Sequence, residues 1–254
     1  MERKKFLTRS LGIAGLSAVL MDACKKTEVS SNSTSVTTTD GECVVSPTET
    51  EGPFPYTSDG NTKSEISNPL DRVDIRMNSS DGAIQTGLPL SITITIVNVN
   101  NNCALVPDVR VDLWHCNRNG FYSGYGNQSG GLSGTANSYL GENWLRGYQL
   151  TDSNGQAKFT TIYPGWYQGR ATHIHFEAYV NNVMKKTTQL TFPETISDAV
   201  HITSLYSAHG TNPIRNTSDS VFGDSATDLA NEYFTMTGDT TNGYVATHQI
   251  GITL

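Results

Sequence analysis

The sequence predicts an all-β domain, a β-sandwich with long loops and little helix, on three observations. Residues 90–99, L-S-I-T-I-T-I-V-N-V, alternate β-branched apolar residues with Ser, Thr and Asn, the pattern of a strand buried on one face. Turn-forming Gly, Asn, Asp and Pro recur between short apolar segments along the rest of the chain, as sandwich folds require. No long amphipathic helix competes with this pattern; S-A-T-D-L-A-N-E-Y-F at 225–234 is the best short helical candidate.

Taken in order, the chain opens on an address. Arg3, Lys4 and Lys5 precede an apolar run at 11–21, about the length of a signal-peptide core and too short to span a bilayer comfortably. Cys24 follows in L-M-D-A-C, a box similar to a bacterial lipoprotein signal in which the cysteine takes the lipid; Asp22 is unusual there. An ordinary secretory peptide cleaved nearby is the alternative. Residues 1–23 are therefore expected to be a signal, and the Ser/Thr-rich stretch to residue 41 a tether. Residues 42–254 remain for one folded domain, exported and held at a periplasmic or outer cell surface through Cys24.

Within that domain T-E-G-P-F-P-Y, residues 50–56, reads as an extended loop, because each proline pushes the residue before it out of the helical region. Strand 90–99 comes next, followed by V-R-V-D-L-W at 109–114, then strand candidates at 157–162, 173–180, 183–192 and 244–254. D-S-N-G at 152–155 and Asn181-Asn182 look like hairpin turns. Cys43, Cys103 and Cys116 allow one disulfide and one free thiol in an exported protein, with the pairing open. A formal charge of -7 argues against nucleic acid as a partner, which needs a basic surface.

The chemistry concentrates at 161–176, T-I-Y-P-G-W-Y-Q-G-R-A-T-H-I-H-F. Successive strand residues face opposite ways, so His173 and His175 share one face while Ile174 and Phe176 take the other, toward a core. Two imidazoles are thus offered to one ion, with Tyr167 and Arg170 close by. H-x-H also arises by chance, tyrosines in β-proteins are usually core or surface residues, and an isolated arginine more often makes a surface ion pair.

W-H-C-N-R-N-G-F-Y-S-G at 114–124, L-R-G-Y-Q-L-T-D-S-N-G at 145–155, F-T-T-I-Y-P-G-W-Y at 159–167 and G-R-A-T-H-I-H at 169–175 together decide the matter. The chain resembles the intradiol ring-cleavage dioxygenases, the catechol and protocatechuate dioxygenase group, and most of all their secreted branch, over residues 43–222. T-E-G-P-F-P-Y and T-Q-L-T-F at 188–192 extend the likeness.

The resemblance implies Fe(III) held by Tyr122, Tyr167, His173 and His175, with Tyr167 the ligand that leaves when substrate binds. It implies a small aromatic diol and O2 as partners and cleavage between the two hydroxylated carbons to a cis,cis-muconate-type diacid. Arg170 matches an arginine that stabilises the anionic substrate-derived centre, and Gln189 a glutamine beside it. Glu51, Gly52 and Pro53 border the substrate in this reading, and Trp166 adds an aromatic wall. Tyr125 competes with Tyr122 as first ligand, although the interval from Trp114 favours Tyr122. Glu177 shares the histidine face, beside the metal or exposed.

His115, His201, His209 and His248 lack any comparable frame and are expected to be structural or exposed. No guanidinium is placed for a substrate carboxylate, and the helical dimerisation region of many catechol dioxygenases has no counterpart before Cys43, so substrate identity and oligomeric state stay open. Two other classes compete: a non-catalytic ligand-binding lipoprotein on the same fold, and a zinc enzyme built on H-x-H, against which the tyrosines speak.

Overall fold

The computed structural model describes residues 43–55, 70–132 and 138–254, all within one compact unit, Thr39–Leu254. The expected signal, tether and Cys24 lie outside the described residues. Among the described residues, nine strands form two sheets. They are β1 (Pro89–Asn98), β2 (Ala104–Leu105), β3 (Arg110–Trp114), β4 (Arg146–Leu150), β5 (Gln156–Ile162), β6 (His173–Val180), β7 (Val183–Thr191), β8 (Thr235–Asp239) and β9 (Gly243–Ile252). One sheet runs β2-β1-β9-β8, with β5 pairing β1 alongside β2 on the edge away from β9; the second runs β4-β3-β6-β7.

The alternation expected in β1 is realised: Leu90, Ile92, Ile94 and Ile96 are buried and Ser91 is exposed. These residues meet Val111 and Leu113 of β3, Ile174 and Phe176 of β6, and Ala246 and Ile250 of β9 in one core between the sheets. β1 lies parallel to β9, with Ile94 opposite His248, and antiparallel to β5, with Ile92 opposite Phe159. β6 pairs with β3 and β7, placing Trp114 and Gln189 on either side of His175. The outer face of this second sheet therefore carries Trp114, His173, His175, Glu177 and Gln189.

Asn181 and Asn182 form the β6–β7 turn with φ of 51° and 62°, the left-handed pair that a two-residue hairpin needs and Asn tolerates. D-S-N-G is a correction. The turn is tight, with Gly155 N–H bonded to Asp152 O at 2.8 Å, yet β4 and β5 do not pair and lie in different sheets. Thr151 closes its bonds on Val106 and Val109, which directs the chain across the sandwich instead of back on itself.

Two helices are short. α1 (Glu194–His201) follows Pro193 and turns Ser197, Val200 and His201 inward; α2 (Ala226–Ala230), inside the expected segment, is capped by Ser225 Oγ accepting from Asp228 N–H at 3.2 Å. Among the described residues no helix is long and apolar enough to cross a membrane.

Ahead of β1, residues 43–55 form a strap without regular structure that is tied down repeatedly. Cys43 is disulfide-bonded to Cys103, leaving Cys116 free and buried. Ser46 exchanges bonds with Gly251, Lys186 Nζ donates to Ser46 O and Thr48 Oγ1, and Glu49 N–H reaches Thr187 O. The strap thus crosses both sheets and delivers Gly52 and Phe54 onto the outer face of β6.

Candidate metal centre

Four donor atoms converge on that face. His173 Nε2 and His175 Nε2 are 3.1 Å apart; Tyr122 Oη lies 3.2 Å from His175 Nε2 and 3.5 Å from His173 Nε2, and Tyr167 Oη is 3.4 Å from His173 Nε2. All four side chains are buried. Donors bound at about 2.1 Å to one first-row ion stand roughly 3.0 Å apart at right angles and roughly 3.6 Å apart at 120°. The observed separations fall in this range. Among the described residues no three His, Cys, Asp or Glu side chains come together as a metal site, so the cluster depends on its phenol oxygens. Two imidazoles and two hard oxygen donors fit ferric iron better than zinc, whose sites favour Cys, His and carboxylate.

Each donor is held by local structure. The alternation of β6 puts the two imidazoles on one face. His173 Nδ1 donates to Ala171 O at 2.6 Å, which fixes the tautomer and leaves Nε2 with its lone pair toward the cluster. Among the described residues His175 Nδ1 has no hydrogen-bond partner; the ring is fixed by stacking on Trp114 at 4.9 Å and 6° and by Gly52 on its edge. Tyr122 ends a tight turn in which Asn117 Oδ1 accepts from Asn119 and Phe121 N–H. Gly120, at φ 83°, lies so close to Trp166 O that any Cβ would strike it. Gln128 then clamps both backbone groups of Tyr122 at 2.7 Å.

Tyr125 points elsewhere and donates to Pro55 O at 2.8 Å, so the cluster takes its phenol from Tyr122.

Burial pushes His173 down to about 3 and His175 well below the ordinary histidine range, with Arg170 and other neighbouring groups adding to the effect, so both are neutral lone-pair donors. Burial pushes Tyr167 up to about 12 and Tyr122 well above a normal phenol; Arg170 pulls against both shifts. Without a cation these phenols keep their protons. A bound multivalent cation reverses that preference.

Arg170 is buried beside Tyr167. Its Nε donates to Asp219 Oδ2 at 3.0 Å and its Nη2 to Gln189 Oε1 at 2.7 Å, while Gln189 Nε2 continues to Thr50 O at 2.8 Å. The structure therefore brings Tyr122, Tyr167, His173, His175, Arg170 and Gln189 together, with Gly52 against His175. Trp166 turns its ring onto His209, 3.8 Å between centroids, and bonds Gly210 O. Glu177 is buried and accepts from Tyr179 Oη at 2.7 Å; burial, with Asp112 opposite it on β3, raises its carboxyl to about 7. His115 is a satisfied core residue, its Nδ1 donating to Cys116 O and its Nε2 2.7 Å from Thr161 Oγ1.

Sequence reasoning missed three residues here. Phe54 stacks on Tyr122 at 4.7 Å and meets Tyr167 edge-on at 6.0 Å, although its motif was recognised. Arg146, wholly buried, bonds Ser123 O and the carbonyls of Phe54 and Pro55, pinning the strap beside Tyr122. Asp219 holds Arg170 from a segment 49 residues away. Each acts through contacts distant in sequence, where no spacing signal exists.

A family model described as "Dioxygenase" matches residues 62–211. The fold is similar to an intradiol ring-cleavage dioxygenase from Tetranychus urticae, at 24% identity over 83% of this chain and 95% of that one, with a TM-score of 0.68. It is also similar to the dioxygenase domain of a dioxygenase carbohydrate-binding protein fusion from Streptomyces sp. SirexAA-E, at 22% identity over 83% and 99% of the two chains, with a TM-score of 0.54. A hydroxyquinol 1,2-dioxygenase from Pseudomonas putida DLL-E4 matches at 17% identity over 82% and 66%, with a TM-score of 0.52. No curated protein matches the chain.

Proposed function

The chain belongs to the intradiol ring-cleavage dioxygenase family, and we propose that it opens the aromatic ring of a catechol-type substrate between its two hydroxylated carbons, consuming O2 and yielding a cis,cis-muconate-type diacid. The observation that carries this reading is the convergence of Tyr122, Tyr167, His173 and His175, with His173 Nε2 3.1–3.5 Å from each of the other three donor atoms and the buried cation Arg170 beside them. Those four residues would hold Fe(III), the metal the family uses. When bound, the ion supplies a Lewis-acid centre that chelates the diol and draws it into reaction with O2.

The protein's own contributions follow from its geometry. Tyr167 Oη is the site's base: as a phenolate it takes a proton from an incoming substrate hydroxyl and becomes a neutral phenol. The affinity for protons that burial gives it favours this transfer. Tyr122, clamped by Gln128 and covered by Phe54, is built to stay in place. Arg170 presents a fixed positive charge to the anion that the deprotonated diol brings, at no reorganisation cost, because Asp219 and Gln189 already hold it. Phe54 and Trp114 cover the donors and restrict water.

The same reading extends to location. We place residues 42–254 outside the cytoplasm as one dioxygenase domain, carried by a signal at 1–23 and a tether at 24–41 lipidated at Cys24; the Cys43–Cys103 disulfide fits an oxidising compartment. The test is product analysis of the iron-loaded protein with catechol under ¹⁸O₂. Both labelled atoms should appear in a muconate-type diacid; unconsumed catechol or a ring-opened semialdehyde would contradict the assignment.

A further inference from the structure

We propose that Asp219 is the positioning residue of this site, setting the aim of Arg170 and, through residue 171, the lone pair of His173. The proposal rests on the ring-cleavage reading for its effect on rate and on the structure alone for its effect on metal retention.

Asp219 is completely buried at the side chain, and its two oxygens collect donors from two directions. Oδ2 accepts from Arg170 Nε at 3.0 Å and from Ala171 N–H at 2.6 Å. Oδ1 accepts from Val221 N–H at 2.8 Å and Phe222 N–H at 3.2 Å, and lies 3.3 Å from Arg170 Nε. Burial alone would raise its carboxyl. The Arg170 guanidinium and the backbone amides outweigh burial and leave it below the usual carboxylate range, so the group is an anion locked in one orientation.

This anchorage has two consequences. With Nε on Asp219 and Nη2 on Gln189, the guanidinium plane is fixed along two of its edges, with its charge held beside Tyr167. A side chain with four rotatable bonds would otherwise disperse that charge. The second consequence runs through Ala171, whose N–H is bound by Asp219 and whose carbonyl accepts His173 Nδ1–H at 2.6 Å. Asp219 therefore holds the backbone that dictates which nitrogen of His173 faces the cluster. One carboxylate from the segment before α2 orients both the electrostatic group and a metal ligand that precede it by more than forty residues.

The test is a double-variant cycle with iron retention as an independent readout. Asp219→Asn keeps the shape and can still accept from Val221 N–H. Per bound iron, Asp219→Asn and Arg170→Ala should each lower kcat for catechol about 10–100-fold, with smaller changes in KM. The double variant should lie within about threefold of Arg170→Ala, because Asp219 acts on rate through Arg170. Iron loss to a chelator should be about tenfold faster in Asp219→Asn, and near wild type in Arg170→Ala, where residue 171 remains held.

Multiplicative rate losses in the double variant, or wild-type iron retention in Asp219→Asn, would overturn the proposal. Iron-loaded wild type that fails to turn over refutes the functional reading instead, and the chelator measurement still decides the role of Asp219. Should Asp219→Asn not fold, Asp219→Ser, which keeps an acceptor for Val221 N–H, carries the same cycle.

Discussion

Gly52 lies against the imidazole of His175: a Cβ added at Gly52 would stand 3.0 Å from His175 Cε1. The strap and the face that carries His173 and His175 are thus in direct contact. Gly52 also sits at φ 73°, a left-handed conformation that costs a residue with a side chain about 1–2 kcal/mol. Gly52→Ala should therefore displace either the strap or His175. We expect iron content of the purified variant to fall severalfold and stability to drop by about 1–2 kcal/mol, measured by metal analysis and denaturant unfolding. Wild-type iron content would show that the strap does not position the ligand.

The strap is fastened at its far end by Cys43–Cys103, which closes 60 residues of sequence. Cross-linking a loop of this size restricts the unfolded chain, so Cys43→Ser with Cys103→Ser should lose about 2–4 kcal/mol of stability. Hydrogen exchange of residues 43–55 should rise in the same variant, because noncovalent contacts alone, among them the bonds of Ser46 with Gly251 and of Arg146 with Phe54 and Pro55, would then hold the strap. Unchanged exchange there would mean the hydrogen bonds suffice.

Glu232 is almost wholly buried, and burial together with neighbouring Glu49 raises its carboxyl to about 8. The folded state therefore keeps a proton that the unfolded chain releases near the ordinary glutamate range. Folding is favoured by this group at low pH, and the contribution is lost as pH rises from about 4.5 to about 8. Glu232→Gln removes the titration. Its stability relative to wild type should rise steadily across that window and stay level below it, in unfolding experiments at several pH values. A difference independent of pH would contradict the assignment.

Much of this was legible in sequence where local pattern and tertiary demand coincide. β6 is the clearest case: the alternation H-I-H-F fixes which residues face the core, and the structure places Ile174 and Phe176 there and the histidines opposite. β4 carries no strand signal, because R-G-Y-Q-L has no alternation; Arg146 and Gly147 are buried by the strap and by residues 70–75 rather than by the core. β8, T-M-T-G-D, is an exposed edge strand whose pairing with β9 supplies the order that its composition does not. α1 offers only Ile196, Ala199 and Val200 as apolar positions, too few for a clear helical pattern, and docks through the Ser197 hydroxyl on Tyr163. At the site the donors were readable and their supports, Phe54, Arg146 and Asp219, were not.

His175→Ala and Tyr167→Phe separate the donors. The histidine variant should lose iron, since Nε2 of His175 lies nearest to both His173 and Tyr122. The tyrosine variant should keep most of its iron, carry a weaker visible band and bind catechol with altered kinetics, because Tyr167 Oη, the proposed base, is gone. Metal analysis with stopped-flow absorbance checks both, and full iron occupancy in His175→Ala would refute the ligand set.

The most direct measurement is the visible spectrum of the iron-loaded protein before and after anaerobic addition of catechol. A phenolate-to-iron charge-transfer band that moves to longer wavelength with catechol is the predicted result, since it reports tyrosine ligation and chelation of the diol together. A protein that stays colourless after expression with ample iron would contradict the metal centre and favour a ligand-binding role for this fold.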